Sequence, residues 1–181
     1  MDLNKKLKID LHTHCYEATG YQPPNIDIVK RIINAVKAKN LDGIGVTEHV
    51  DRFYGYQVKE IVEKQFDNEI LVIPGQECNV WPVQVVELYL PEDVTFRFLA
   101  HPGYPGEYND DFKDLQGIEI DNPLHNWHIN KEKVKALAER YGLYTLQNSD
   151  AHFLDDIGRS YNEVSIADLM AMARQGPKIK S

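Results

Sequence analysis

Short apolar, β-branched runs alternate with stretches of helical periodicity along nearly all of this chain, the pattern of a sheet assembled from β/α steps. The predicted strands are 8–12, 44–47, 70–74, 96–100, 117–120, 144–147 and 161–164. The run 83–90 also reads as strand, with no evident place in a sheet. Asn25 can cap a helix whose apolar positions Ile28, Val29, Ile32, Ile33 and Val36 recur at three- and four-residue spacing. Further helical patterns run over 56–66, from Asn130 to a C-cap at Gly142, and over 166–174, before a polar tail at 176–181. The chain of 181 residues is one domain's worth, 1–181, and shorter than the roughly 250 residues of an eight-stranded β/α barrel. A smaller or distorted barrel is therefore expected.

A formal charge of −8 argues against a nucleic-acid or anionic-membrane partner, because phosphate contacts require clustered Lys and Arg. No apolar segment approaches the roughly 18 residues that span a bilayer, and the N-terminus lacks a signal-peptide pattern. Two cysteines, Cys15 and Cys78, imply no disulfide framework. A cytoplasmic location is the expectation.

Five of the seven histidines fall at or just past a predicted strand end: His12, His14, His49, His101 and His152. Glu77 and Asp150 share that placement. In parallel α/β folds the strand C-termini form one face, so residues distant in sequence line one pocket. His12-Thr13-His14 and Asp150-Ala151-His152 each have the i, i+2 spacing that turns two side chains to the same side of a strand. Burying so many polar groups without a cation would be costly, which points to bound metal. Glu77 is suited to bridging two ions roughly 3.5–4 Å apart.

Taken in order, Asp10-Leu11-His12-Thr13-His14, Thr47-Glu48-His49, Gly75-Gln76-Glu77, His101-Pro102-Gly103 and Ser149-Asp150-Ala151-His152 resemble the motifs of the PHP (polymerase and histidinol phosphatase) family. The resemblance spans about 8–165. It implies a distorted seven-stranded (β/α)7 barrel of TIM-barrel type, with two to three divalent ions (zinc, manganese or iron) and hydrolysis of phosphate esters. By position, His12, His14, Glu77 and Asp150 would hold a first ion. Glu77 would bridge to a second, held also by His101, and His49 and His152 would hold a third. The chain departs from the pattern in three places. Glu48 stands where the family has Asp. No His lies between Glu77 and His101. Glu17 is the nearest, off-register candidate for an acid that follows the first motif.

The resulting expectation is a phosphoesterase acting on a small phosphorylated substrate. A water activated at the metal cluster would attack phosphorus, and His152 and Asp150 would be the catalytic side chains. Alternatives are a metal-binding module without turnover and an amidohydrolase-like C–N or C–O hydrolase. Arg159 would clamp a phosphate or lie on the surface. His125, with His128 in the same aromatic loop, would contact substrate or belong to a surface loop.

Overall fold

The computed structural model describes residues 2–108 and 113–175, so the polar tail lies outside the described residues. Among these residues eight strands form one sheet: β1 (Leu7–Thr13), β2 (Gly43–Val46), β3 (Leu71–Val80), β4 (Val83–Leu90), β5 (Val94–Leu99), β6 (Gly117–Asp121), β7 (Tyr144–Gln147) and β8 (Asn162–Val164). Their spatial order is β7-β6-β5-β4-β3-β2-β1-β8. Neighbours within β1–β3 and within β5–β7 are parallel, whereas β4 opposes both β3 and β5, and β8 opposes β1. The barrel-like α/β architecture is as expected, but it is not a regular sevenfold βα alternation. Short turns, with no helix, join β3 to β4 and β4 to β5. An antiparallel neighbour needs only a turn, whereas a parallel one needs a crossover of about a dozen residues. A short chain thus widens its sheet by using hairpins, and the unplaced run 83–90 is one of these strands.

The sheet is nearly closed. Beyond β7, the Asp150 N–H donates to the His12 carbonyl at 3.0 Å and the His14 N–H to the Ala151 carbonyl at 2.9 Å, and a parallel bridge joins Thr13 to Ala151. The later half of β1 therefore meets the segment after β7, while its earlier half pairs with β8. The Asn162 side chain stitches this seam, donating to the Gln147 carbonyl and to Asn148 Oδ1, both at 2.8 Å.

Five helices accompany the sheet among the described residues: α1 (Cys15–Ala18), α2 (Ile26–Ala38), α3 (Tyr54–Gln65), α4 (Lys131–Tyr141) and α5 (Ile166–Gln175). Asn25 caps α2 by accepting from the Ile28 N–H at 3.0 Å. Asn130 caps α4 in the same way through Lys133, and Gly142 ends it at φ 66°, a left-handed conformation that glycine adopts without strain. The apolar stripe of α2 packs with Tyr54, Val58 and Val62 of α3 and with Ile44 and Val46 of β2. Each aliphatic side chain so buried contributes roughly 1.5–3 kcal/mol, so packing holds the helix more than its intrinsic propensity does.

A second cluster gathers Ile9, Leu11, Val86, Phe96, Phe98 and Leu146, from β1, β4, β5 and β7. Strands that are not neighbours in the sheet can meet only inside the barrel. Ile166, Leu169 and Met170 of α5 join the same cluster, so α5 stoppers the end where β1 begins. The opposite end, where the parallel strands finish, is left for the polar groups.

Candidate metal centre

Plain alternation along β1 would send Leu7, Ile9 and Leu11 inward and His12 to the other face. The pairing of β1 with β2 shifts register between Asp10 and Thr13. Leu11 packs in the interior cluster, and the His12 ring also lies inside, 6.2 Å from the Phe98 ring. A bulge of this kind re-aims side chains. His12 and His14 thereby face the barrel mouth, while Thr13 points back to donate to the Gly45 carbonyl at 2.7 Å. Two other site residues take left-handed backbone conformations, His101 at φ 25° and Asp150 at φ 54°, which non-glycine residues adopt chiefly where function or packing demands it.

Glu77 and Asp150 lie at the centre, both buried. Glu77 Oε2 is 3.4 Å from His12 Nε2, 3.3 Å from His14 Nε2 and 3.2 Å from His49 Nδ1. Its other oxygen, Oε1, is 2.8 Å from His101 Nε2. Asp150 Oδ1 stands 3.1 Å from His14 Nε2 and 3.4 Å from His12 Nε2, and Oδ2 is 3.5 Å from His125 Nε2. Three donor groups result: His12, His14, Glu77 and Asp150; His101, His125 and Asp150; and His14, His49 and His152.

The hydrogen bonds around these imidazoles indicate what the groups are built to hold. His12 Nδ1 is 2.9 Å from Glu119 Oε1, His101 Nδ1 is 3.2 Å from the Tyr104 carbonyl, and His152 Nδ1 is 2.9 Å from the Asp150 carbonyl. An acceptor opposite Nδ1 keeps the proton there and leaves a lone pair on Nε2. His12 and His14 nevertheless bring their Nε2 atoms within 3.2 Å of each other, beside two carboxylate oxygens. His14 Nδ1 and His125 Nδ1 are buried with no hydrogen-bond partner among the described residues. Acceptors crowded together in this way require positive charge between them, and imidazole nitrogen with carboxylate oxygen is the donor set of zinc, manganese and iron. The residues fit divalent cations.

The protonation preferences agree. Burial alone would depress the His12 pKa, but Asp150, Glu77 and Glu119 reverse this and raise it well above the usual histidine range. Burial likewise opposes ionisation of Glu77, and His12 and His101 outweigh it, so Glu77 stays well below the ordinary carboxylate range. Without cations, the cluster would draw in protons to balance its acids.

The structure brings His12, His14, His49, Glu77, His101, Asp150 and His152 together, as their placement in the sequence led us to expect. Glu17 lies at the edge, its Oε2 3.9 Å from His152 Nε2, outside all three donor groups. His125 is drawn further in than a substrate contact would need, its ring 4.5 Å from that of His101. It supplies, from the loop after β6, an imidazole beside His101 where the stretch between Glu77 and His101 has none. Arg159 is elsewhere. It pairs with Asp156 at 2.7 Å and lines a groove with Tyr144 and Glu163, so a phosphate clamp at the cluster is not where this side chain sits. The His128 ring lies tilted against Trp127, 3.5 Å between centroids, and belongs to none of the donor groups.

Sequence reasoning missed Glu119. It is fully buried, and besides His12 it accepts from the His101 N–H at 2.7 Å, Asn122 Nδ2 at 3.0 Å and Asn148 Nδ2 at 2.8 Å. Asn122 also donates to Asp150 Oδ2 at 3.3 Å. The available signal was an acid within the apolar strand Gly117-Ile118-Glu119-Ile120, which a folded chain tolerates only with partners.

Residues 128–176, which include Asp150 and His152, match a family model described as PHP-associated. A curated relative from Caldicellulosiruptor bescii, named "Probable phosphatase", is 26% identical over 204 aligned positions covering 83% of each chain. The resemblance to the PHP family is borne out. Two solved structures share the fold. A "putative metal-dependent phosphoesterase" from Bifidobacterium adolescentis superposes with a TM-score of 0.68 at 11% identity, over 91% of this chain and 96% of the other. PsfC from Pseudomonas syringae PB-5123 superposes with a TM-score of 0.65 at 19% identity, over 92% and 88%.

Proposed function

We propose that this chain is a metal-dependent phosphoesterase that hydrolyses small phosphate esters. The observation that carries the reading is the fully buried group of His12, His14, Glu77 and Asp150 beside a cavity of about 530 Å³ lined by Glu77, His101, His125, Asp150 and His152. The names of the C. bescii relative and the B. adolescentis protein point the same way. Two to three divalent ions, zinc, manganese or iron, would be held, the first by that group. Glu77 and Asp150 would reach toward a second with His101 and His125. His49 and His152, with His14, would hold a third.

When bound, such ions supply Lewis acidity toward phosphoryl oxygens and acidify water. The protein's own part is orientation and proton placement. Glu119 and the Tyr104 carbonyl keep protons on the outward Nδ1 atoms of His12 and His101. The Asp150 carbonyl does this for His152, which leaves its Nε2 for a cation or for the proton that the departing alkoxide needs. Burial, followed by the neighbouring His101, lowers the His125 pKa to about 4, so this ring is neutral at physiological pH.

Among the described residues no helix is long and apolar enough to cross a membrane, and a small soluble ester in the cytoplasm is the partner this reading assigns. A panel of phosphomonoesters, phosphodiesters and single-stranded DNA tests it. The monoesters are expected to be hydrolysed fastest. A nuclease rate above every monoester, or activity on amides or lactones alone, would overturn the reading.

A further inference from the structure

The cavity beside the cluster is polar at its base and apolar along one wall. Trp127 and Leu124 line it while remaining 80% and 51% exposed. Indole presented to water at the mouth of a polar cleft is an unused apolar surface. A ladder of rings connects it to the cluster. His101 lies 4.5 Å from His125, His125 4.4 Å from Tyr104, Tyr104 5.0 Å from His128, and His128 3.5 Å from Trp127, centroid to centroid. The wall is also held in place. Gly103, at φ 104°, lies so close to the 122–128 loop that an added Cβ would stand 2.8 Å from the His128 carbonyl oxygen.

Among the described residues, none that lines the cavity is Lys or Arg. A second phosphate or carboxylate on the substrate would thus sit near Glu77 and Asp150 without a protein counter-charge. An uncharged, flat, apolar group would instead cover Leu124 and stack on Trp127.

We infer that the site selects phosphomonoesters whose alcohol carries a flat apolar ring, seated against Trp127 and Leu124 while the phosphate lies at Glu77 and Asp150. This rests on the phosphoesterase reading above. Ring stacking beyond simple area burial is worth a factor of about three to ten in binding.

The test compares 2-phenylethyl phosphate with butyl phosphate, whose alkoxide leaving groups are of similar basicity, using the metal-loaded protein. A binding measurement accompanies it. Trp127 is the one tryptophan left in Trp81→Phe, which alters a residue lining a different groove, so its fluorescence reports occupation of the wall by phenylpropylphosphonate or butylphosphonate. The kcat/KM ratio is expected to favour the phenyl ester by about three- to tenfold, mainly through KM, and to fall toward one in Trp127→Ala. The phenyl phosphonate alone should shift the Trp127 emission. A ratio near one in the parent protein, or one unchanged in Trp127→Ala, overturns the inference while leaving phosphoesterase activity standing. A saturable emission shift with the phenyl probe but no turnover of any phosphate ester supports the apolar seat and sinks the phosphoesterase reading.

Discussion

Glu119 Oε1 lies 2.9 Å from His12 Nδ1, and the other oxygen of the same carboxylate accepts the backbone N–H of His101 at 2.7 Å. One buried acid on β6 thus sets the tautomer of a residue on β1 and the position of another after β5. Groups that orient a ligand imidazole typically affect metal affinity by about 10–100-fold. Glu119→Gln preserves shape but removes the charge, and its amide end can no longer accept from every present donor. We expect metal affinity, measured by chelator competition, to fall by about that factor, with the circular dichroism of the fold retained.

Asp150 belongs to two of the three donor groups and contacts His14 and His152 of the third, and its backbone N–H is bonded to the His12 carbonyl. Asp150→Ala and His12→Ala should each remove most bound metal by elemental analysis. His128→Ala should leave metal content at the parental value, because His128 belongs to none of the donor groups and its hydrogen bond to the His125 carbonyl comes from the backbone N–H, which alanine keeps. Equal loss in all three variants would show that metal content was following general destabilisation.

The third position is the most open. The His49 and His152 side chains are 33% and 24% exposed, and Glu17 stops 3.9 Å from His152. Occupancy between two and three ions is therefore expected. Glu17→Gln should weaken the last ion in a stepwise titration and leave the first two unchanged. Loss of two ions in this variant would place Glu17 far closer to the centre than the geometry does.

Asp10 supports the cluster from behind. Its Oδ1 accepts the Ser149 N–H at 3.0 Å, and its Oδ2 accepts the Gly158 N–H at 2.9 Å and the Ser149 hydroxyl. Asp10→Ala strands those donors in a buried environment, at about 1–3 kcal/mol each. Denaturant unfolding should show a loss of that order, and Ser149→Ala should lose less, since one neutral hydroxyl leaves with its own donor.

Much of this centre could be read from the chain because its candidate ligands sit in short motifs at strand ends. The exception is Glu77, expected just past a strand ending at 74 but lying within β3, which runs on to Val80. Glu77 and Asp150-Ala151-His152 converge once the parallel strands pair, whereas His12 also needs the register shift in β1 between Asp10 and Thr13, which the motif alone does not reveal. His125 was harder to place, because it lies within a loop after β6 and only the loop's fold brings it to Asp150. Glu119 was legible only as a strand residue, since its role depends on partners from four separate segments. The strand at 83–90 was read but left unplaced, because periodicity reports a strand's faces but carries no information on its direction. Arg159 looked close in sequence to Asp150-Ala151-His152, yet the turn Leu154–Asp156 intervenes and the side chain leaves toward Asp156.

The most direct measurement is a titration of divalent ions into chelator-stripped protein with phosphate release from a small monoester as the readout. Release should be absent at the start, rise with added Zn²⁺ or Mn²⁺, and level off once two to three equivalents per chain are bound. Release that is undiminished by stripping, or protein that takes up less than half an equivalent of either ion, would contradict the account.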